Sequence, residues 1–312
     1  MLLTPDAALL LTDDRYTAQA AEESTIEVRI VAAAARLEAL ADLVGSATLG
    51  VQADHLTWQA ARELEERLGR PPLPLADLTR PLRIVKTPDE IARLREAARL
   101  TDAAFDHVLA GPLRAGTREV DVALEIERFI RGQGGEAVSF EVIVAGGHRS
   151  AMPHGVASER VIERGDLVTL DFGARVDGYH ADMTRSVAIG PVAEPLRSWY
   201  DAVLDAQRAA VAAIRPGLSG VDADRVARER LGRAGLAERF AHSLGHGVGL
   251  QIHEAPSLST RSTDVLAPGM AVTVEPGVYQ PGLGGLRIED LVLVTADGHE
   301  VLSRSPKDYL EL

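Results

Sequence analysis

The spacing of apolar residues predicts a small α/β unit at the amino-terminal end of the chain. A short apolar run over residues 7–11 is typical of a strand. Apolar residues then recur at intervals of three and four over residues 26–43 and 58–68, which is the period of an amphipathic helix. We therefore expect a strand followed by two helices in this region.

Clustered prolines predict a domain boundary near residue 80. Four prolines fall within residues 69–86, and such density is typical of a linker. A helix is expected directly afterwards, because residues 87–90 (Thr-Pro-Asp-Glu) have the residue types and spacing of a capping box. We accordingly predict a short amino-terminal α/β domain over residues 1–80 and a second domain over residues 87–312.

The second domain repeats one pattern, two helices followed by strand-rich sequence. Helices are predicted from Thr87 to about Leu109, after Thr117, and over residues 194–214 and 219–231. Identical residues recur at an offset of 101, where Arg114, Gly116, Val120 and Asp121 match Arg215, Gly217, Val221 and Asp222. At an offset of 104, Gly165, Val168, Thr169, Asp171 and Gly173 match Gly269, Val272, Thr273, Glu275 and Gly277. Chance similarity is the alternative, but we interpret the pattern as an internal duplication that brings Asp171 and Glu275 towards a shared axis.

Residues 166–189 predict a β-hairpin that places two carboxylates side by side. Residues 177–178 (Asp-Gly) are a two-residue turn signal between strand-like flanks. The resulting register puts Asp171 opposite Thr184 and makes Asp182 a diagonal neighbour of Asp171 on the same face. Two buried carboxylates need either protonation or a cation, and a metal ion is the simpler solution at neutral pH. Two solvated loop aspartates are the alternative reading.

Residues 270–294 supply a similar pair of acids in the second half. Glu275 is expected near the end of one strand and Glu289 within the next. His246 lies among glycines that let the backbone approach a site closely. It is one of four histidines set among the acid-bearing strands, the others being His154, His242 and His253. Each residue alone is more often a core or surface residue, whereas the group indicates a metal site.

Composition narrows the chemistry of that site. The 312-residue chain contains no cysteine, so a metal must be held by oxygen and imidazole nitrogen. Such donors suit Mn(II), Co(II) or Zn(II), and four carboxylates offset two divalent charges. Two ions about 3.5–4 Å apart can hold a bridging hydroxide while one of them polarises a carbonyl, which fits peptide hydrolysis.

Charge and hydropathy exclude several other classes of protein. The net charge of −13 argues against a nucleic-acid-binding surface. The amino-terminal sequence lacks the basic region of a signal peptide, and no apolar run approaches the roughly 20 residues that span a bilayer. We therefore expect a cytoplasmic protein without nucleic-acid or membrane partners.

These motifs resemble those of the M24 metallopeptidases, the pita-bread fold of methionine aminopeptidases, aminopeptidase P and prolidase. The similarity covers about residues 87–305 and is carried by LDFGA with DGYHADMTR, then by GHGVGLQIHE, VEPGVY and LRIEDLVLV. It implies an α+β fold, in which a pita-bread catalytic domain with an internal pseudo-two-fold repeat follows a small, truncated α/β domain.

The resemblance also implies roles for individual residues. Asp171 would bind one of two divalent ions, Asp182 and Glu289 would bridge both, and His246 and Glu275 would complete the other, with Glu275 also the general base. In addition, His154 would contact the substrate near the scissile bond, His253 would stabilise the tetrahedral intermediate, and Arg287 would orient the metal-bound carboxylates. His242 and Tyr179 are candidates for packing or for support of the ligands. Manganese is the expected metal, with cobalt or zinc as alternatives.

The amino-terminal unit and the sequence FEVIVAGGHRSAMPHG resemble the Xaa-Pro branch of the family. This implies release of the amino-terminal residue from short peptides with proline in second position, through attack of a metal-bridging hydroxide. Dipeptides would be cleaved by a prolidase and longer peptides by an aminopeptidase P. The chain begins at what resembles the middle of the usual amino-terminal domain, which often contributes to dimerisation. A homodimer is nevertheless the expected assembly.

Two other functions remain open at this point. One is a creatinase-like hydrolase acting on another small amide, and the other is a non-catalytic binding scaffold of the same fold. Relatives of both kinds lack the complete set of metal ligands, whereas all five are present here.

Overall fold

The computed structural model describes all 312 residues and divides the chain into two compact units, Met1–Arg80 and Pro81–Leu312. In the first unit, the strands are β1 (Leu2–Leu3), β2 (Ala8–Thr12), β3 (Glu27–Ile30), β4 (Gly50–Gln52) and β5 (Leu73–Leu75), and the helices are α1 (Thr17–Glu23), α2 (Arg36–Val44) and α3 (Trp58–Leu68). Strand β2 pairs antiparallel with β1 and parallel with β3, while β4 pairs parallel with β5. One further helical turn, α4 (Arg80–Arg83), lies where the two units meet in sequence.

The predicted elements of this unit are confirmed in part. The strand expected over residues 7–11 is β2, and the helix expected over residues 58–68 is α3. The helix expected over residues 26–43 is wrong in its first part, because Glu27–Ile30 form β3 and the α-helix begins only at Arg36. The sequence at this point, EVRI, alternates polar and apolar residues and so fits a strand paired with β2.

The second unit contains four long helices and thirteen strands. The helices are α5 (Pro88–Leu109), α6 (Glu119–Gly132), α7 (Leu196–Ala213) and α8 (Gly220–Arg233). The strands of the first half are β6 (Ala137–Val138), β7 (Ile143–Gly146), β8 (Leu167–Phe172), β9 (Ala174–Val176), β10 (Tyr179–His180) and β11 (Met183–Ala188). Those of the second half are β12 (Gly245–Gly247), β13 (Glu254–Leu258), β14 (Ala271–Val274), β15 (Gly277–Gln280), β16 (Gly284–Arg287), β17 (Asp290–Val294) and β18 (His299–Val301).

The two halves of this unit have the same plan, which confirms the predicted duplication. In each half a helix pair is followed by a sheet. The central strand of the first sheet is β8, which lies between β7 and β11. The central strand of the second sheet is β14, which lies between β12 and β17. Isolated bridges join Arg118 to Val161 in the first half and Ser219 to Val265 in the second. Arg118 and Ser219 are 101 positions apart, and Val161 and Val265 are 104 positions apart. These are the two offsets that the residue identities show.

Local sequence explains where α5 begins and how α6 is anchored. The Thr87 hydroxyl accepts the Glu90 amide, and the Glu90 carboxylate accepts the Thr87 amide, so the predicted capping box starts α5. In α6, Val122, Ile126 and Ile130 lie on one face and are fully buried, which stabilises the fold by roughly 1.5–3 kcal/mol for each side chain. In each half the helices cover one face of the sheet, and the other face is left for the predicted metal ligands.

None of the helices has the length and apolar character needed to cross a membrane.

Candidate active site

Strands of both halves bring the four predicted carboxylates to one place. Asp171 lies within β8 opposite Thr184, as the turn-based register predicted. Asp182 directly precedes β11, and Glu275 directly follows β14. Glu289 was predicted within a strand, but it lies in the break between β16 and β17. Its amide donates to the carbonyl of Thr184 at 3.1 Å, so its backbone joins the second half to the first instead of continuing the strand.

The side chains of these residues converge on His246. Ligand atoms of Asp182, His246 and Glu289 all lie within 4.8 Å of one another. The Nε2 atom of His246 is 3.5 Å from Oδ2 of Asp182 and 3.4 Å from Oε1 of Glu275. The structure therefore brings one acid of the first half and two acids of the second within reach of a single imidazole.

The backbone fixes the orientation of that imidazole. Nδ1 of His246 lies 3.0 Å from the carbonyl oxygen of Gly247, a contact in which the ring nitrogen must carry the proton. Nε2 is then left as a lone-pair donor that faces the carboxylates. Burial lowers the pKa of His246, which favours the neutral ring that a metal ligand requires.

Arg287 connects the acids of the two halves. Its guanidinium donates to Oδ2 of Asp171 at 2.6 Å, to the hydroxyl of Thr184 at 3.0 Å and to the hydroxyl of Tyr279 at 2.7 Å. Thr184 in turn donates to Oε2 of Glu289 at 2.6 Å. This chain of hydrogen bonds holds Asp171 and Glu289 in fixed orientations.

Burial together with mutual repulsion raises the pKa of several of these carboxyl groups. The pKa of Asp182 and of Glu289 lies well above the ordinary value, because both are buried and face other carboxylates. Burial raises the pKa of Glu275 to about 7, with Asp171 adding to the effect and Arg287 opposing it. The protein alone therefore does not stabilise four negative charges here.

A pair of divalent cations fits this donor set. Two buried carboxylate oxygens, Oδ1 of Asp171 and Oε1 of Glu289, have no hydrogen-bond partner in the protein. Buried acceptors of this kind require compensation. Carboxylate oxygens and one imidazole nitrogen, without sulfur, are donors suited to divalent Mn, Co or Zn.

The site lies in a cavity of about 510 Å³ whose wall includes every residue predicted for it. Besides the five candidate ligands, the wall contains Arg287 and three histidines, His154, His242 and His253. The His253 ring lies edge-on to the His246 ring, with centroids 4.4 Å apart. Tyr179 is outside the cavity wall and donates to Glu90 of α5 at 2.7 Å, which is a packing role.

Several supporting residues were not predicted from the sequence. Thr273 donates to Oε1 of Glu275 at 3.0 Å and accepts the amide of His246 at 3.0 Å. The hydroxyl of Tyr279 is 3.0 Å from Nε2 of His242. The sequence did indicate the position of Thr184, because the hairpin register places it opposite Asp171.

A buried network behind Glu289 was also missed. Arg185 of β11 donates to the backbone carbonyl of Glu289, to Oδ1 of Asp290 at 2.9 Å and to the carbonyl of Ser305 at 2.8 Å. Asp290 also accepts from Gln207 at 2.8 Å and is paired with Lys307. Apart from the Lys307–Asp290 pair, these contacts join residues 83 to 120 positions apart, and no local pattern indicates them.

Family models match both units of the chain. The model described as Metallopeptidase family M24 matches residues 92–296, and the Creatinase/Prolidase N-terminal domain matches residues 1–85. The peptidase YqhT of Bacillus subtilis is 42% identical over 315 residues, covering 100% of this chain and 89% of that protein. The Xaa-Pro dipeptidase of Pyrococcus furiosus is 44% identical over 234 residues, covering 75% of this chain and 67% of that protein.

Solved structures agree with this similarity over nearly the whole chain. The Xaa-Pro dipeptidase from Bacillus anthracis has a TM-score of 0.94 at 45% identity, covering 99% of this chain and 88% of that one. The X-Pro aminopeptidase from Thermotoga maritima has a TM-score of 0.89 at 36% identity, covering 99% of this chain and 89% of that one. This chain belongs to metallopeptidase family M24, and its first unit matches the Creatinase/Prolidase N-terminal domain.

Proposed function

We propose that this protein is a dinuclear metallopeptidase that hydrolyses the Xaa-Pro bond of dipeptides. The observation that carries the proposal is the buried group of four carboxylates and one imidazole, in which two carboxylate oxygens lack any protein partner. The similarity to proteins named Xaa-Pro dipeptidase supports the choice of substrate.

The ligands are assigned as the family resemblance implies. Asp171, Asp182, His246, Glu275 and Glu289 would together hold two divalent cations, with Asp182 and Glu289 serving both. The short distances among Asp182, His246 and Glu289 support this assignment. When bound, the two cations supply a Lewis acid for the substrate carbonyl and a nucleophile from water at neutral pH. We propose manganese, because the donor set is rich in oxygen.

The remaining residues of the cavity orient the substrate and handle protons. Glu275, which lies beside the proposed cations, would serve as the general base, as the family resemblance implies. Burial lowers the pKa of His253, so its ring is neutral and can donate one N–H to an oxygen that gains negative charge. His154 lines the same cavity and contacts the substrate near the scissile bond. Arg287 keeps Asp171 in place through its short ion pair.

Longer peptides are a second candidate substrate. The similarity to the X-Pro aminopeptidase from Thermotoga maritima favours them, although at lower identity than the dipeptidase structure. The homodimer and the cytoplasmic location expected from the sequence stay predictions, and sedimentation and fractionation would test them.

The test is a comparison of substrates after removal and restoration of metal. Chelator-treated protein is assayed with Ala-Pro, Ala-Pro-Ala, Ala-Ala and creatine, before and after addition of Mn(II), Co(II) or Zn(II). We expect metal-dependent cleavage of Ala-Pro, with Mn(II) giving the highest rate. Metal analysis of protein purified without added ions should find two equivalents per chain.

Each alternative has its own result. Faster cleavage of Ala-Pro-Ala than of Ala-Pro would assign an aminopeptidase, and equal cleavage of Ala-Ala would remove the proline preference. Hydrolysis of creatine alone would assign a creatinase-like enzyme. No metal-dependent cleavage of any peptide would refute the proposed peptidase function.

A further inference from the structure

The segment that carries His154 has little secondary structure of its own. Residues 147–157, here called the His154 loop, follow β7 and contain one 3₁₀ turn, Gly147–Ala151. A single bridge, between Ile143 and Val156, joins the loop to β7. The loop nevertheless supplies Pro153, His154 and Val156 to the cavity wall. Something other than strand pairing must therefore hold it.

A buried carboxylate lies against both ends of this loop. Glu119, the first residue of α6, is fully buried. Its side chain accepts the Gly146 amide at 2.8 Å at one end, and the Ser158 amide at 3.2 Å and hydroxyl at 2.7 Å at the other. It also accepts from Arg149 within the loop at 2.8 Å. Four hydrogen bonds, one of them from a guanidinium, satisfy a charge that would otherwise be costly to bury.

Arg149 extends this contact towards His154. While Nη1 donates to Glu119, Nη2 donates at 2.8 Å to the carbonyl of Val156, two residues beyond His154. The opposite side of the loop is held by the second half, because the guanidinium of Arg287 donates to the carbonyl of Pro153 at 3.2 Å. His154 thus lies between two backbone positions that arginines hold.

The second half holds the segment that carries His253 without a buried carboxylate. The position equivalent to Glu119 at the offset of 101 is Gly220. A Cβ atom at Gly220 would lie only 2.2 Å from the carbonyl oxygen of Ser257, so no side chain fits. The chain after His253 instead enters β13, which pairs with β12 at three positions. Strand pairing therefore fixes His253, whereas Glu119 takes that task for the His154 loop.

We propose that Glu119 is a positioning residue for His154. It does not line the cavity and so acts through the loop, by holding both of its ends in one arrangement. The role assigned to Glu119 rests on the proposed function of the site, in which His154 contacts the substrate.

The test compares Glu119→Gln with a matched control on the same helix. Glutamine keeps the shape of the side chain but presents an amide N–H₂ to groups that are themselves donors. Glu125→Gln makes the same chemical change in α6, where the carboxylate pairs with His107 and Arg128 away from the loop. We expect Glu119→Gln to lower kcat for Ala-Pro by about 10- to 100-fold, because displacement of a reacting group by about 1 Å has effects of this size. KM and metal content should stay within about twofold, and Glu125→Gln should behave as wild type.

Two further measurements separate positioning from a general loss of structure. In the His154→Ala background, Glu119→Gln should lower kcat no further, since its effect passes through His154. Hydrogen exchange of the metal-free protein should show faster exchange across residues 147–157 in Glu119→Gln and in Arg149→Gln, with α8 unchanged. Independent, multiplying effects of His154→Ala and Glu119→Gln would overturn the proposal, as would unchanged exchange in the loop. An inactive wild-type protein would refute the proposed function instead, and the exchange result would still decide whether Glu119 holds the loop.

Discussion

The two halves of the catalytic unit share one plan but contribute differently to the site. The first half supplies aspartates, one of them, Asp171, within a strand. The second supplies glutamates that lie just outside strands, as well as His246. Asp182 also lies just outside a strand, so the halves differ mainly in side-chain length, since a glutamate reaches one methylene further than an aspartate. The two halves thus share one backbone plan but supply acids of different length to a common centre.

The halves also differ in how they hold the histidine next to the ligands. His253 precedes a strand that pairs with the core of its sheet, and His154 lies in a loop attached by side chains. Backbone pairing tolerates changes in side chains, whereas attachment through Glu119 depends on a single carboxylate. A duplicated fold can therefore place its elements symmetrically and still rely on unlike interactions for equivalent tasks.

The largest expected effect comes from removing, in either half, one of the carboxylates proposed to serve both ions. If the two halves hold the ions jointly, Asp182→Asn and Glu289→Gln should each lower kcat/KM for Ala-Pro by at least about 10³-fold, because the cations lose both a ligand and a compensating charge. Both variants should also bind less Mn(II). Steady-state kinetics and metal analysis measure the two quantities.

Exposed acids provide matched controls for these two substitutions. Asp121→Asn and Glu127→Gln make the same chemical changes on the surface of α6, where each carboxylate pairs with an arginine. They should retain activity close to that of wild type. Activity above a tenth of wild type in only one of the two bridging variants would show that the halves do not share the ions equally.

A smaller effect is expected of pH on the stability of the metal-free protein. It tests what the buried Glu275 carboxyl group of the second half contributes to that stability. Burial raises the pKa of Glu275 from 4.5 to about 7, so at pH values between these limits the folded state holds a proton that the unfolded chain has released. The contribution of this group to the free energy of unfolding should therefore fall as pH rises, by about 2 kcal/mol between pH 5.5 and pH 8. Asp182 and Glu289, whose pKa values are also raised, act in the same direction.

Urea unfolding of chelator-treated protein at pH 5.5 and pH 8 measures this dependence. Glu275→Gln should remove this contribution from the pH dependence of the metal-free protein, since glutamine does not titrate. Added Mn(II) should stabilise the wild type more at pH 8, where the carboxyl groups are ionised, than at pH 5.5. Buried histidines with lowered pKa values, among them His246 and His253, change stability in the opposite direction, so the contribution of Glu275 is the difference between the wild type and Glu275→Gln. A pH dependence that Glu275→Gln leaves unchanged would show that Glu275 carries no unusual proton.

Sequence alone predicted the features that depend on local spacing. The Asp-Gly turn at residues 177–178 fixed the register that places Asp171 opposite Thr184, and the two offsets identified the repeated halves. Conversely, the break before β17 was not predicted, because the amide of Glu289 bonds across to the first half. The contacts of Glu119 were not predictable either, since a buried glutamate at a helix start has the same sequence signature as an exposed one.

The smallest expected effect concerns the second helix of each half, whose first turns are stabilised differently. The residues before α6 and α8 are equivalent at the offset of 101, and they are Arg118 and Ser219. The Ser219 hydroxyl accepts the Asp222 amide at 3.1 Å, whereas no side-chain cap starts α6. Ser219→Ala should therefore lower the free energy of unfolding by about 1 kcal/mol. Arg118→Ala should leave the urea midpoint nearly unchanged, because it removes only ion pairs at the surface. Equal midpoints for the two variants would mean that the first turn of α8 does not depend on its cap, and that the halves are more alike in their helices than in their loops.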